Sequence, residues 1–456
     1  MVVTNVPAAT CPPEVGMMLT DSKHDGRIMR WLPLLIIVII TLTASVNRSL
    51  VGLIMQPVTG EFGLTDTQIG ALLSLVGVAV ALFSPLLGQM VDRLDRHRLM
   101  IGAIFVWSLA TAAYGLASSY HALAVSLCIL ASAETTLVPV CNSLIAGQYR
   151  GEGRINANLV YFAAGALTSG IGSYVGGQLL NWSAGGLPVA LFGPALSDWR
   201  IAMLITAFAG VPLALLVLLL GRDHRPKSFK RATDISDFKA YLREHWTALV
   251  SFNLANGGYF ITATAIMTWV PIYIVRHFGI APAELGMRIG VVIGIADVLG
   301  VLVGFAAIKQ LYTRLGPIAP RYIFQGSLGL IAVACLLQLQ ATSLETMLVL
   351  LGIQNFLATF GTASFNNMVQ DMSPPEIRGK VFAINSVILS VVSIPGPLLV
   401  GVISDFFGPA TQGLLWAAML VAIPALLFSI ILFGLTNRSF LRTVEAVAKV
   451  DREALA

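Results

Sequence analysis

Gly88-Gln-Met-Val-Asp92-Arg93-Leu-Asp95-Arg96-His97-Arg98 separates two long apolar runs, at residues 67–91 and 99–118. Each run exceeds the roughly 18 residues that distinguish a membrane-crossing helix from a helix buried in a soluble protein. The arginines and aspartates between them cannot enter hydrocarbon without a large cost in free energy. The stretch therefore predicts a short charged turn outside a membrane, joining two helices that cross it.

Apolar runs of the same kind recur along the whole chain of 456 residues, of which 56% are hydrophobic and 11% charged. Soluble proteins carry roughly 25% charged residues, and only lipid-facing surface removes the need for them. We therefore expect an all-α integral membrane protein with twelve transmembrane helices. The runs lie near 32–55, 67–91, 99–118, 121–147, 156–181, 201–221, 247–275, 285–308, 321–340, 344–369, 379–404 and 411–435.

The basic residues are distributed very unevenly between the two sides of this arrangement. Of 28 Lys and Arg residues, 24 fall on one side. Arg200, Arg276 and Arg288 fall on the other side, and Arg48 lies inside the first run. Because cytoplasmic loops are enriched in Lys and Arg, we expect a multi-pass protein of the cell (inner) membrane with both termini in the cytoplasm.

The two halves of the chain resemble each other. A shift of 216 positions takes Gly88 to Gly304, and a shift of 224 takes Gly172 to Gly396. Both halves begin on the same side, so they are expected to be two six-helix bundles related by a parallel pseudo-repeat. A site between two such bundles opens to either side when one bundle rocks against the other.

A basic stretch joins the halves, and two interpretations of it stay open. Phe238, Tyr241 and Leu242 share a helical face, which favours a segment lying on the membrane surface. The alternative is a solvated basic linker. The expected regions are a cytoplasmic N-terminal tail at 1–31, a first bundle at 32–221, the linker at 222–246, a second bundle at 247–435 and a cytoplasmic C-terminal tail at 436–456.

The charged turn at 88–98 resembles the G-x-x-x-D-R-x-G-R-R signature of the major facilitator superfamily, which joins spans two and three in that family. Asp95 stands where the signature has glycine, and we expect the turn to survive because Asp tolerates left-handed geometry. The resemblance implies a motif that controls conformational change. Its residues are Gly88, Asp92, Arg93, Arg96 and Arg98, with Glu376 and Arg378 in the second half.

Within that superfamily the chain looks most similar to the spinster-like branch. The similarity rests on Asn47-Arg48, Glu61 to Gly70, Glu134, Trp199-Arg200, Thr268 to Tyr273, Pro375 to Gly379, Gly396-Pro397 and Ser404-Asp405. Two positions depart from the branch. Asn47 stands where the branch has Asp, and Leu127 stands where it has Arg, so no coupling mechanism can use ionisable groups at these positions.

Three ionisable residues lie inside predicted spans, where a charge is costly and therefore marks function by default. Arg48 and Glu134 are in the same half, and a pair between them would reduce the desolvation cost of both. We expect Arg48 to attract an anionic group of the substrate, with Glu134 holding it or exchanging for it; a structural ion pair is the alternative. Asp297 either titrates during transport or is a neutral residue at a helix contact.

Further polar and small residues occur in the spans. Candidates for substrate contact are Asn47, Asn253, Asn256, Tyr259, Asn355, Asn366 and Asn385. Polar side chains in spans also act as interhelical hydrogen-bonding groups, and that alternative stays open for each. Two sets of small residues predict helix packing surfaces: Gly165, Ser169, Gly172 and Gly176, and Gly286, Gly290 and Gly294.

These features together predict a secondary transporter working by alternating access. The expected solute is a small amphipathic or lipid-like organic anion, and protons are the expected coupling ion. An uncoupled facilitator is the alternative, and a membrane sensor is a remote one. The sequence has no nucleophile–base pair and no G-x-x-x-x-G-K-[ST] loop, so we expect no enzyme activity. We also expect no cofactor or metal, no nucleic-acid partner, contact with membrane lipid and a monomer.

Overall fold

The structure is a computed structural model that describes residues 25–149, 151–185, 196–219, 235–374, 377–408 and 411–455. In this part of the chain, 11 helical stretches are long and apolar enough to cross a membrane. One of them, Pro282–Gln338, has 57 residues and is divided by a 3-10 turn at Gly316–Ile318. It therefore supplies two crossings, and the prediction of an all-α protein with twelve transmembrane helices is confirmed.

The first half of the chain contains spans 1 to 6. A short connecting helix, α2, follows span 1, and span 6 consists of two helices that meet at Ala209. The bounds are α1 Asp25–Leu53 (span 1), α2 Met55–Phe62, α3 Asp66–Arg93 (span 2), α4 Arg96–Gly115 (span 3), α5 Tyr120–Gln148 (span 4), α6 Gly151–Ser183 (span 5), and α7 Asp198–Phe208 with α8 Gly210–Leu218 (span 6).

The second half contains spans 7 to 12 and a C-terminal helix. Spans 10 and 11 are each interrupted once, and the break in span 11 comes immediately before Pro395, whose ring disfavours an uninterrupted helix. The bounds are α9 Ile235–Phe278 (span 7), α10 Pro282–Leu315 (span 8), α11 Ala319–Gln338 (span 9), α12 Leu344–Thr362 with α13 Phe365–Asp371 (span 10), α14 Arg378–Ser393 with α15 Pro395–Phe407 (span 11), α16 Thr411–Leu435 (span 12) and α17 Asn437–Leu455.

The described end of the segment that joins the halves is helical. Residues 235–246 are the first turns of α9, which continues without a break into span 7. Tyr241 is buried and its hydroxyl donates a hydrogen bond to the carbonyl of Met372, while Leu242 packs against the core. Tyr241 and Leu242 therefore pack on the protein itself, while the side chain of Phe238 lies outside the described part. Residues 220–234 of the expected linker lie outside the described part.

The predicted repeat is visible in how the helices pack. A Cβ at Gly172 in span 5 would lie 2.8 Å from the carbonyl oxygen of Ser45 in span 1. A Cβ at the equivalent Gly396 in span 11 would lie 2.9 Å from the carbonyl oxygen of Ile261 in span 7. Ser45 and Ile261 are themselves 216 positions apart. Equivalent glycines therefore make equivalent contacts, and the two halves follow one plan.

Spans 5 and 8 form one seam between the halves. A Cβ at Gly170 would lie 2.4 Å from Cα of Gly294, and a Cβ at Gly290 would lie 2.4 Å from the backbone nitrogen of Tyr174. Such separations are reached only where small residues let two helix backbones approach closely. The packing surface predicted on span 8 is confirmed.

The face predicted on span 5 is only partly right. Gly172 and Gly176 pack against span 1 of the same half, and no atom lies within 4 Å of a Cβ at Gly165. The seam uses Gly170 and Gly177 instead. The four predicted residues follow one helical stripe, whereas span 5 contacts two different helices at once and needs small residues on two faces.

Spans 2 and 11 form the second seam. A Cβ at Gly70 would lie 2.5 Å from the carbonyl oxygen of Pro397, and Ser74 Oγ donates to the carbonyl of Ile394 at 2.6 Å. Further along span 2, no atom lies within 4 Å of a Cβ at Gly88. The halves therefore meet at the end where spans 2 and 8 begin, here called the closed end. They separate towards the opposite end, which carries most of the basic residues and is here called the basic end.

Candidate substrate and coupling site

Arg48 and Glu134 form the ion pair that the sequence predicted between spans 1 and 4. Arg48 Nε lies 3.4 Å from Glu134 Oε2. The side chain of Glu134 is 5% exposed, whereas that of Arg48 is 67% exposed. Because a guanidinium facing hydrocarbon is strongly disfavoured, we infer that Arg48 faces the space between the halves. The pair presents a cation to that space with a buried carboxylate behind it.

The contact between Arg48 and Glu134 uses one nitrogen of the guanidinium and one oxygen of the carboxylate. Among the described residues, Arg48 hydrogen-bonds through Nε alone, and Glu134 Oε1 is buried without a hydrogen-bond partner. A guanidinium can bind a carboxylate or phosphate group through two parallel hydrogen bonds. Nη1 and Nη2 of Arg48 are therefore able to bind an oxyanion while Nε stays beside Glu134.

The two positions that depart from the spinster-like pattern are both buried. Asn47 is 0% exposed, and its Nδ2 donates to Thr111 Oγ1 in span 3 at 3.4 Å. Leu127 belongs to the apolar core of the first half. Asn47 therefore helps to hold span 1 against span 3, and neither position adds a charge near Arg48.

Asp297 lies in the middle of span 8 and is 7% exposed. Tyr259 of span 7 is also buried. The helix that carries Asp297 is fixed on both sides, because Gly294 packs against span 5 and Gly300 packs against span 10. Within the described residues Asp297 forms no ion pair, so the structure does not join it to the pair of Arg48 and Glu134.

The candidate asparagines of the second half differ in their hydrogen bonds and in their exposure. Asn253, Asn256 and Asn355 each donate Nδ2 to a carbonyl four residues earlier in the same helix. Oδ1 of Asn253, Oδ1 of Asn256 and Nδ2 of Asn385 are buried without a partner in the described structure. Asn366 is exposed. These hydrogen bonds stay within single helices, so they do not hold two spans together.

The charged turn between spans 2 and 3 keeps its shape for a different reason from the one expected. Asp95 has φ −61° and ψ 126°, which is extended geometry, so the expectation of a left-handed residue is wrong. Its carboxylate instead accepts a hydrogen bond from the backbone N–H of Arg98 at 2.9 Å. Asp95 is the N-cap of α4, and aspartate is among the preferred N-cap residues.

The described arginines of the predicted gating motif lie at the basic end. Arg93 and Arg98 are exposed there. In the second half, Arg378 Nη2 donates to the carbonyl of Ser373 at 3.2 Å. The side chain of Asp92 and the whole of Glu376 lie outside the described residues.

An ion pair at the closed end was missed by the sequence analysis. Arg276 Nη1 lies 2.8 Å from Asp66 Oδ1, and Arg276 Nε donates to Gln56 Oε1 at 2.7 Å. These bonds join span 7 to span 2 and to α2, across the two halves. The available signal was that Arg276 is one of only three basic residues on its side, and that Asp66 begins a span on the same side.

A second missed cluster surrounds Glu61 at the end of α2. The carboxylate accepts hydrogen bonds from Ser197 Oγ at 2.6 Å, Trp199 Nε1 at 2.7 Å and Arg200 Nη2 at 2.7 Å. Partial burial raises the pKa of Glu61, but these hydrogen bonds and the charge of Arg200 outweigh burial and lower it below its usual value. The cluster fixes α2 to the start of span 6 within the first half.

Comparison with known families agrees with this architecture. The model of the Major Facilitator Superfamily matches residues 37–337 and 310–452. The chain belongs to the Major Facilitator Superfamily. It is therefore a secondary transporter and not an enzyme, and a multi-pass integral membrane protein.

Relatives in the superfamily include spinster proteins. The chain is 23% identical over 397 residues to protein spinster homolog 1 of Xenopus laevis, covering 81% of this chain and 72% of that protein. It is 24% identical over 414 residues to an MFS-type efflux pump of Mycolicibacterium smegmatis, covering 86% and 89%. It is 22% identical over 389 residues to the sphingosine-1-phosphate transporter SPNS2 of Mus musculus, covering 80% and 68%.

Solved structures share the fold. A bacterial homolog of the human lysosomal transporter spinster, in an inward-facing and unoccupied conformation, superposes with a TM-score of 0.72 at 19% identity, covering 93% of this chain and 98% of that one. The nucleoside transporter NupG superposes with a TM-score of 0.67 at 14% identity, covering 90% and 99%. The predicted superfamily and its spinster-like relationship are confirmed.

Proposed function

We propose that this transporter moves an amphipathic, lipid-like organic anion, and that Arg48 binds the anionic group. The observation that carries the proposal is the geometry of Arg48, which is 67% exposed and contacts Glu134 through one nitrogen only. The remaining nitrogens suit a phosphate or carboxylate better than any other ligand, because their fixed fork matches two oxygens of one group.

Relatives support the lipid-like character of the solute. SPNS2 of Mus musculus is named as a sphingosine-1-phosphate transporter, and that molecule combines an anionic head with a long apolar tail. A single exposed cation between the spans fits one anionic head, and the apolar spans around it fit a tail.

The proposed orientation of the molecule in the membrane rests on the distribution of its Lys and Arg residues. We place the basic end in the cytoplasm of the cell membrane, because Lys and Arg concentrate in cytoplasmic loops. The structure is then an inward-facing state, closed at the outer end by the two seams. We retain the regions expected from the sequence, with helix α9 beginning inside the linker at Ile235.

Coupling to a proton gradient is part of the proposal. Glu134 is buried behind Arg48 and Asp297 is buried in span 8, and buried carboxyl groups are the groups that bind and release protons during transport. The alternative is an uncoupled facilitator, which is favoured by the absence of an ionisable side chain at Asn47 and Leu127.

A ligand-stabilisation screen tests whether the bound solute is an anionic lipid. The purified protein is heated with a long-chain base phosphate, a lysophosphatidate, and the matching neutral lipids that lack the phosphate. We expect the phosphates to raise the melting temperature of the wild type most and of Arg48→Lys less, because lysine keeps the charge but lacks the fork, and to have little effect on Arg48→Ala. Equal stabilisation by the neutral lipids, or by the phosphates in Arg48→Ala, would contradict an anion bound at Arg48.

A further inference from the structure

The N-terminus of span 2 is completed by a residue from the other half of the protein. The first four N–H groups of a helix have no partner within it. Here the N–H of Thr65 donates to Gln68 Oε1 at 3.0 Å, and the N–H of Gln68 donates to Thr65 Oγ1 at 3.2 Å. The N–H groups of Asp66 and Thr67 are bonded by Asp405, whose Oδ1 and Oδ2 lie at 3.1 and 2.8 Å.

Asp405 belongs to span 11, so this cap bridges the seam between spans 2 and 11. A carboxylate at a helix N-terminus gains both charge-assisted hydrogen bonds and a favourable interaction with the helix dipole. The next residue back along span 11, Ser404, donates Oγ to Asp66 Oδ2 at 2.7 Å. A Cβ at Gly401 would lie 2.3 Å from the carbonyl of Asp66, so only glycine lets the two helices come this close.

Asp66 also forms an ion pair with a residue of the second half. Asp66 Oδ1 lies 2.8 Å from Arg276 Nη1 in span 7. Asp66 therefore accepts from both span 7 and span 11 while its backbone donates to Asp405. The charges that meet here are Asp66, Asp405 and Arg276, and His277 beside them contacts Thr411 through Nδ1 at 3.3 Å.

The equivalent seam between spans 5 and 8 lacks this charged arrangement. At the repeat offsets of 224 and 216, the positions matching Asp405 and Asp66 are Asn181 and Pro282, and the position matching Arg276 is Gly60. That seam is formed by close glycine contacts. One seam is thus built for close packing, and the other combines packing with charge.

We propose that Asp405, as the cap of span 2, and the Asp66–Arg276 ion pair form the gate that holds the closed end shut. Opening this end for alternating access must separate Asp405 from the two N–H groups and Arg276 from Asp66. The free energy of these bonds sets the population of the state that is open at this end. Asp405, Asp66 and Arg276 are positioning residues for the transport cycle, and none of them touches the solute.

Distance measurements between spin labels test the gate. The full chain is placed in lipid nanodiscs, with Cys11, Cys128, Cys141 and Cys335 replaced by alanine and labels attached at Ser118→Cys and Thr342→Cys. Ser118 and Thr342 are exposed positions in loops of the two halves at the closed end. Double electron–electron resonance then reports the separation of the halves at this end.

We expect Asp405→Asn to add a longer distance and to raise the ratio of open to closed molecules about tenfold or more, because it removes charge from two hydrogen bonds. The matched control is Glu284→Gln, an exposed carboxylate at the same end that pairs with Arg288 of its own helix. The control keeps the distance distribution of the parent protein.

Arg276→Gln is the second variant, and it applies where Asp405→Asn does not give folded protein. Melting temperature and monodispersity are measured first for each variant. A shift to the longer distance in either folded variant supports the gate. Distributions indistinguishable from that of Glu284→Gln in the folded variants overturn it. No solute is added, so the outcome does not depend on the proposed substrate.

Discussion

Arg48 reaches Glu134 through Nε at 3.4 Å and still leaves 67% of its side chain exposed. A purely structural pair between spans 1 and 4 has no need of an exposed guanidinium, and burying both groups would strengthen their attraction. The observed asymmetry instead suits a site in which the carboxylate moderates the charge of the arginine until an anion binds. One consequence for binding follows, and it can be tested.

Glu134→Gln should raise the affinity for an anionic solute. The amide keeps an oxygen facing Arg48 Nε but removes the negative charge that competes with the solute. We expect the dissociation constant to fall about tenfold, which corresponds to roughly 1.4 kcal/mol. Isothermal titration with the best phosphate ligand measures it, and Glu345→Gln, an exposed carboxylate at the closed end, is the control. Unchanged or weaker binding would contradict competition between Glu134 and the solute.

Asp297→Asn should abolish accumulation driven by a pH gradient while leaving exchange of solute intact. The amide cannot take up or release a proton, whereas the shape of span 8 and its glycine contacts are retained. Proteoliposomes with and without an imposed gradient separate the two activities. An uncoupled facilitator would leave the wild type as insensitive to the gradient as Asp297→Asn.

The twelve spans and the pair of Arg48 and Glu134 could be predicted because of what hydrocarbon excludes. Hydrocarbon excludes charge and unpaired backbone, so long apolar runs fixed the twelve spans. The same exclusion made Arg48 and Glu134 conspicuous, and few partners exist for either within one half. The glycines of span 8 were informative because close approach of two helices leaves little choice of residue.

The residues that were missed depend on contacts that no local pattern records. Arg321 is one of the 24 basic residues that the sequence places on the basic side, yet it is 1% exposed. It donates to the carbonyl of Phe433, 112 positions away, at 2.8 Å and also to Thr436. Asp405 was likewise visible in the sequence, but its partners Asp66 and Thr67 lie in the other half. Only the assembled bundle brings these residues together.

Arg321→Met should therefore destabilise the second half. The guanidinium carbon of Arg321 lies 4.8 Å from the ring centre of Phe433 and 5.0 Å from that of Phe440. The guanidinium also donates a hydrogen bond to the Phe433 carbonyl near the end of span 12. Its loss leaves a buried carbonyl unpaired, which costs about 1–3 kcal/mol. We expect a lower melting temperature than for Arg314→Met, an exposed arginine at the same end. Equal melting temperatures for the two variants would rule out a stabilising role for Arg321.

The stabilising effect of Glu61 should depend on pH. Its pKa in the folded protein is below the usual value, so its contribution is present above that usual value and is lost as pH falls through the lowered pKa. The melting temperature of wild type should exceed that of Glu61→Gln at neutral pH, and the difference should shrink as the pH falls below about 4.5. Glu284→Gln serves as the control, and a difference independent of pH would exclude ionised Glu61 as its cause.

Gly290→Ala should force the seam between spans 5 and 8 apart. The added Cβ would lie 2.4 Å from the backbone nitrogen of Tyr174 and 2.7 Å from the carbonyl of Gly170, and backbone atoms cannot rotate away as a flexible side chain can. Overpacking of this kind costs about 1–3 kcal/mol. The control is Gly326→Ala in span 9, where no atom lies within 4 Å of the new Cβ and helix propensity favours alanine. We expect Gly290→Ala to melt at a lower temperature and to show a longer distance between labels at the closed end. A Gly290→Ala protein as stable and as closed as Gly326→Ala would mean that the seam yields without cost and does not hold the halves together.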